Sequence, residues 1–180
     1  MSCHAVSAQA QGFTPYPASP GDQLLVVSVA DQAIRLYRQG FLIKAWPVST
    51  SRFGTGSAEG SLQTPLGVHV VRKKIGKGVP PGTWFVARGN TGRLAPIITD
   101  DRPADRDYVT SRILWLKGLE PGKNQGPGVD SWDRLIYIHG TAEEGRIGRP
   151  ASRGCIRMRN ADVIELFDLV EEGTVVDIRE

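Results

Sequence analysis

Residues 24–49 read LLVVSVADQAIRLYRQGFLIKAWPVS, and this stretch decides the fold. It opens on a continuous apolar run, LLVVSV. It then alternates, with Ile34 and Leu36 set against Arg35 and Tyr37, and turns at Gln39-Gly40. FLIKAWPVS follows at once. Period-two patterning, β-branched residues and tight turns are the marks of consecutive short strands. The spacing leaves no room for crossover helices, so the sheet should be mostly antiparallel.

Working outward, GVHVVRKKIG (67–76) and GTWFVAR (82–88) repeat the strand pattern. Residues 87–130 mix loops with one strand-like run, RILWLKG. A loop-rich stretch of this length usually serves a site, and parts of it are read as a flap over a cleft, with a disordered insertion as the alternative. RLIYIHG (134–140) is a strand ending in glycine, and TVVDI (174–178) a last strand. One convincing helix lies between them. Asn160 is placed to cap it, Val163, Ile164, Phe167 and Val170 form an apolar stripe, and Gly173 can end it. The expected class is mostly β, an antiparallel β-sandwich or barrel with one or two helices. Residues 1–22 are expected as a flexible tail, 23–180 as one domain, and 87–130 as a loop-rich insertion within it.

Composition bounds the rest. The chain has 180 residues, 40% of them hydrophobic and 23% charged, which suits one ordinary domain and argues against global disorder. The net charge is only +3, and no aromatic residues interleave with the arginines of 146–159, so no nucleic-acid partner is expected. No apolar run approaches the roughly 20 residues of a membrane helix, and no membrane partner is expected. The leader MSCHAVSAQAQ lacks a cationic start and an apolar segment, although Ala8-Gln9-Ala10 resembles the end of a cleavage site. The expectation is a cytoplasmic protein, or a periplasmic one if the native leader is longer. Two cysteines, Cys3 and Cys155, cannot form a disulfide framework. Cys3-His4 and His69 have no ligand spacing with His139, and Asp101, Asp105 and Asp107 read as a solvated loop, so neither metal nor cofactor is expected.

Chemistry concentrates in IHGTAEEGRIGRPASRGCIRM, residues 138–158. In a strand, Tyr137 and His139 share one face and Ile136 and Ile138 the other. His139 then ends its strand at a sheet rim, where a rigid element holds a reachable side chain. Gly154 lets successive N–H groups turn together in front of the Cys155 sulfur, an arrangement suited to a developing oxyanion. Arg153, Arg157 and Arg159 should favour a thiolate and lower its pKa. A cysteine with a histidine elsewhere on the fold is the minimum for nucleophilic acyl chemistry. The five arginines of 146–159 offer bidentate sites for carboxylates.

The segment HGTAEEGRIGRPASRGCIRM resembles the signature of the L,D-transpeptidase catalytic domain, the YkuD-type fold. VSVADQAIRLYRQGFLIKAWPVSTS resembles its opening strands and TPLGVHVV its Thr-Pro-x-Gly strand, so the resemblance covers about 24–178. It implies Cys155 as nucleophile, His139 as base and the Gly140 carbonyl as the group orienting the imidazole. It implies an oxyanion hole from the backbone of Arg153, Gly154 and Cys155, beside Ser152, with Tyr137 and Arg157 shaping the substrate site. Many members carry His where Arg153 stands, so any side-chain role of that histidine is lost here. The implied substrate is a peptidoglycan tetrapeptide stem, attacked between its third residue and D-Ala. Carbapenem-type inhibitors are implied as acylating agents. Among outcomes, hydrolysis of soluble muropeptides by an L,D-carboxypeptidase of wall recycling is favoured over 3–3 cross-linking or D-amino-acid exchange. A non-catalytic peptidoglycan-binding domain is the remaining alternative.

Overall fold

The computed structural model describes residues 16–180. Ten strands form one sheet: β1 Gln23–Ser28, β2 Ala33–Arg38, β3 Phe41–Pro47, β4 Gly67–Ile75, β5 Thr83–Val86, β6 Gly89–Leu94, β7 Val109–Gly118, β8 Tyr137–Thr141, β9 Ile156–Met158 and β10 Val175–Arg179. One α-helix, α1 Asn160–Leu169, joins them, and no helix among the described residues is long and apolar enough to cross a membrane.

The order β3-β2-β1-β10-β4-β7 continues through β8 to β9. There the sheet meets its own beginning. Ser49, just past β3, exchanges both backbone hydrogen bonds with Arg157 at 2.9 Å. The chain thus closes into a barrel, which removes most exposed edges. The β5–β6 hairpin hangs from β7 outside this ring. Most pairings are antiparallel, as expected, but β1–β10 and β8–β9 run parallel. The second parallel pair is possible because residues 142–155 form a crossover between its strands.

Register explains the core. Leu25 pairs with Leu36 and Val176, and Val27 with Ile34 and Ile178. Leu114 pairs with Ile138, and Ile138 with Ile156. All are buried in one cluster, because residues opposite one another across a sheet share a face. Helix α1 adds Val163, Leu166 and Phe167 to that cluster, and Val170 just past its end joins them. The expected stripe holds except that Leu166 enters in place of the partly exposed Ile164.

Two local expectations are corrected. Asn160 is the first residue of α1, not its cap, and its side chain points to β7 and β8. Gly173, with φ 94°, makes the turn before β10, while the helix already ends at Leu169. Within 87–130 the expected strand RILWLKG lies in the central strand β7, which pairs with β4, β5 and β8, and β6 accompanies it. Residues 110–114 of β7 are buried without interruption, so this strand lacks the alternation that marks β2. Residues 16–22 lie against β10: the Tyr16 hydroxyl donates to Asp177 at 2.6 Å, and Val175 N–H donates to the Ser19 hydroxyl at 3.1 Å. Residues 1–15, with Cys3 and His4, lie outside the described residues.

Candidate active site

Parallel pairing of β8 and β9 sets Ile138 opposite Ile156 and His139 opposite Arg157. Alternation then places Tyr137, His139, Cys155 and Arg157 on one face and Ile138, Ile156 and Met158 on the other. The second set fills the barrel core. The first faces outward, where Cys155 packs against a cluster of Phe85, Ile113 and Tyr137.

Cys155 is half-buried and a free thiol. The Tyr137 N–H points at its sulfur from 3.3 Å, and the thiol points at the Leu135 carbonyl oxygen from 3.4 Å. Burial pushes the thiol up to about 12. The Tyr137 N–H, Arg157 and Arg134 pull it down and Asp107 pushes it further up, but burial dominates. The arginines expected to favour a thiolate are not free to do so. Arg153 is exposed to water, and Arg157 is already held by two carboxylates.

His139 is buried, and its Nδ1 lies 2.6 Å from the Gly140 carbonyl oxygen. A carbonyl only accepts, so this contact selects the tautomer that donates from Nδ1 and leaves Nε2 as a base. Burial lowers the imidazole pKa, against an opposing pull from Asp107 and the Gly140 contact. Both reactive groups thus rest in neutral forms. Gly140 is required for space: a Cβ there would stand 2.6 Å from the Thr110 carbonyl oxygen and 2.8 Å from Asn160 Oδ1.

Residues 152–155 form a latched turn. Gly154 has φ 124°, a conformation L side chains rarely adopt. The Ser152 hydroxyl donates to the Cys155 carbonyl at 2.6 Å and accepts the Gly154 N–H at 3.3 Å. Thr64, of the Thr-Pro-x-Gly segment, donates its hydroxyl to the Gly154 carbonyl at 3.0 Å, and Ser152 N–H donates to the Thr50 carbonyl. The turn before the cysteine is therefore fixed by residues about a hundred positions away.

The partners that hold this neighbourhood together were not visible in the sequence. Arg157, 4% exposed, pairs with Asp107 and Glu143, each at 2.7 Å. Glu143 also accepts the Ala104 N–H at 2.8 Å, so the same carboxylate ties in the 104–107 loop. Asn160 saturates its amide: Oδ1 accepts the Thr110 and Ser111 hydroxyls, while Nδ2 donates to the Thr141 carbonyl and to Glu144. Of the arginine run, Arg146 pairs with Asp101 and Glu143, and Arg149 with Asp101, leaving fewer cations for a ligand. Tyr137 lies against Trp115, and its hydroxyl accepts from Arg88 at 3.1 Å.

Residues 22–178 match the L,D-transpeptidase catalytic domain family. Over 155 residues the chain is 29% identical to YkuD of Bacillus licheniformis, a protein ascribed L,D-transpeptidase activity; this covers 86% of the chain and 64% of the relative. It is 56% identical over 82 residues to YkuD of Bacillus subtilis, covering 45% of the chain and 47% of that protein. The chain thus spans less than two thirds of the relatives it matches. L,D-transpeptidase 3 from Mycobacterium tuberculosis, in complex with a faropenem-derived adduct, superposes with TM-score 0.55 at 17% identity, covering 88% of this chain and 60% of that one. The L,D-transpeptidase LdtMt1, in complex with imipenem, superposes with TM-score 0.52 at 15% identity, covering 88% and 59%. By the family match over nearly its whole length, the chain belongs to the L,D-transpeptidase catalytic domain family.

Proposed function

We propose that the protein is a cysteine acyl-transfer enzyme acting on peptidoglycan stem peptides, at the bond between the third residue and D-Ala. The observation that carries this reading is the shared outward face of β8 and β9, with Cys155 and His139 on it and Nδ1 of the imidazole committed to the Gly140 carbonyl. Family membership supplies the substrate class.

The resting pair is a thiol and a neutral imidazole, so attack and proton transfer are coupled. As the sulfur bonds to the carbonyl carbon, its proton passes to Nε2 of His139. The carbonyl oxygen gains the negative charge. Backbone N–H groups of Arg153, Gly154 and Cys155 are the proposed donors to it, in a turn held rigid by Ser152 and Thr64. The tetrahedral centre then expels the D-Ala nitrogen, which takes the proton from the imidazolium. An acyl-thioester and free D-Ala result. Water completes an L,D-carboxypeptidase cycle; an amine gives a cross-link or an exchanged D-amino acid. Both fates share every step up to the thioester. Arg157 acts here by holding Asp107 and Glu143 in place beneath the face, with substrate contact left to residues nearer the cleft mouth. The imipenem complex of one structural neighbour and the faropenem-derived adduct of the other support β-lactams of the carbapenem and penem classes as acylating inhibitors.

The test is product analysis by mass spectrometry with a soluble disaccharide-tetrapeptide, with and without excess D-amino acid. Loss of D-Ala to tripeptide, unchanged by the amine, identifies the carboxypeptidase. Exchange products or tetrapeptide dimers identify the transpeptidase. Retention of intact tetrapeptide together with measurable binding would show a non-catalytic binding domain and overturn the proposal.

A further inference from the structure

Arg88 stands apart from the other cations around Cys155. It sits in the two-residue turn of the β5–β6 hairpin, closed by the pairing of Val86 with Gly89. Both turn residues have positive φ, 46° at Ala87 and 69° at Arg88. Two-residue turns of this kind are normally made by Asn-Gly or Asp-Gly. A non-glycine pair there is strained by roughly 1–3 kcal/mol per residue, and such strain persists where the surroundings hold it.

What the turn achieves is the placement of one guanidinium. Arg88 Nη1 donates to the Tyr137 hydroxyl at 3.1 Å, and the guanidinium lies 4.7 Å from the centre of the Trp115 ring. Trp132 stacks on Trp115 at 3.5 Å, nearly parallel, and Tyr137 meets Trp115 edge-on at 5.6 Å. Tyr137 is also the residue whose N–H points at the Cys155 sulfur. Arg88 is therefore fixed one tyrosine side chain away from the candidate nucleophile, on its outward face.

Its charge has no partner among the described residues. Arg88 forms no ion pair there, and the hydroxyl of Tyr137 is the one hydrogen-bond acceptor of its side chain. The contrast with Arg134, the other cation near the sulfur, is informative. Arg134 donates to the Gly56 and Gln63 carbonyls and to the Ser61 hydroxyl, which ties down the 56–63 loop. Arg88 is half-buried with most of its donor fork unspent. A planar fork on an aromatic platform, partly shielded from water and without a carboxylate, matches the geometry of a peptide carboxylate.

We propose that Arg88 and the Tyr137 hydroxyl form a carboxylate-binding subsite that selects peptides with a free carboxylate close to the scissile bond. This rests on the acyl-transfer reading of Cys155 and adds the chemistry by which the substrate is chosen. Two carboxylates of a stem peptide could supply it: the terminal one of D-Ala, or the side-chain one of a dibasic third residue such as a diamino diacid.

The experiment measures kcat/KM of wild type, Arg88→Gln and Arg88→Lys on the parent tetrapeptide and on two singly amidated peptides, one at each of these carboxylates. In wild type, one amidation should lower kcat/KM tenfold or more, through KM. Arg88→Gln should lose a similar factor on the parent and nothing further on that same amide. Arg88→Lys, which keeps the charge and loses the fork, should fall between. The identity of the sensitive amide names the carboxylate. Arg88→Gly suits the positive φ of the turn, so it should melt no lower than wild type while showing the same loss on the parent peptide; this separates binding from folding. Parent turnover unchanged in Arg88→Gln, or amidation and substitution losses that simply multiply, would overturn the subsite alone. Wild type inert toward all three peptides would overturn the acyl-transfer reading beneath it.

Discussion

The two faces of the β8–β9 pair are built from the same three-residue overlap and behave as opposites. The inner face carries Ile138, Ile156 and Met158, each without exposed surface, in a core shared with α1. The outer face carries Tyr137, His139, Cys155 and Arg157, and each of these side chains makes at least one directed polar contact, although Arg157 Nε is buried without a partner. The inner face holds position by dispersion and burial, which tolerate small shifts. The outer face holds it by directed bonds, which do not. Burial acts on both, but on the outer face its effect is chemical: it keeps the thiol protonated and the imidazole neutral. A pair poised in this way needs no exposed thiolate between turnovers and is less open to adventitious oxidation.

Substitutions can break this contrast, the largest effect first. Cys155→Ala removes the nucleophile and touches no core contact of the inner face. Turnover should fall on the order of 10⁴-fold or more, while the thermal melt stays at the wild-type value; steady-state kinetics beside calorimetry checks both.

The neutral pair sets the pH profile. The base form of His139 is required, and its pKa is lowered from 6.5, so kcat/KM should rise with pH at a midpoint below 6.5 and then stay level. With the thiol near 12, no second rise belonging to a thiolate should appear around pH 8 to 9. Iodoacetamide should likewise alkylate Cys155 slowly at pH 8. An alkylation rate that is fast and already level at neutral pH would show an ionised thiol and break the comparison.

Next come Arg157→Ala and Ile138→Ala, one on each face. Removing one member of a buried ion cluster costs about 3–5 kcal/mol, and the aliphatic truncation about 2–5 kcal/mol. The two losses are similar in size and differ in rescue. Adding Glu143→Gln to Arg157→Ala should recover part of the stability, because it removes the stranded carboxylate. Adding it to Ile138→Ala should recover nothing. Urea denaturation of the four variants measures the difference.

His69 tests burial on a neighbouring strand, β4. It is fully buried between the Gly67 carbonyl and the Ser131 hydroxyl, and burial lowers it to about 4. The unfolded chain takes up a proton near 6.5 that the folded chain refuses until about 4, so stability falls as pH drops through that window. The loss due to His69 should approach about 3 kcal/mol, and His69→Gln should flatten the slope seen in denaturation at pH 7, 5.5 and 4.5.

Gly140→Ala should cost less stability than the two truncations above, about 1–3 kcal/mol. Its Cβ would press on the Thr110 backbone, so the strand must shift and move the carbonyl that holds His139. A disproportionate loss of kcat against a modest loss of Tm is expected.

Much of this was legible in the sequence, because strand periodicity is local. The alternation of 34–37 and of 135–139 placed the right residues on the right faces, and the spacing of His139, Gly154 and Cys155 marked the site. Charge was misread for a physical reason. Arg153 and Arg157 adjoin Cys155 in sequence, yet one projects into water and the other is neutralised by Asp107 and Glu143, partners that only the closed barrel brings near. Asn160 has the composition of a helix cap, but Thr110 and Ser111 of β7 compete for it and win. Arg88 carries no local signal, since its meaning lies in a turn that aims it at a tyrosine about fifty residues on.

The most direct test of the Cys155–His139 pair is intact-protein mass after rapid mixing with disaccharide-tetrapeptide and acid quench. The expected result is an adduct equal to the substrate less D-Ala, on Cys155 of the wild type. It should form far more slowly in His139→Ala and be absent in Cys155→Ala. An adduct that survives in Cys155→Ala, or forms at the wild-type rate without His139, would contradict the assignment of nucleophile and base.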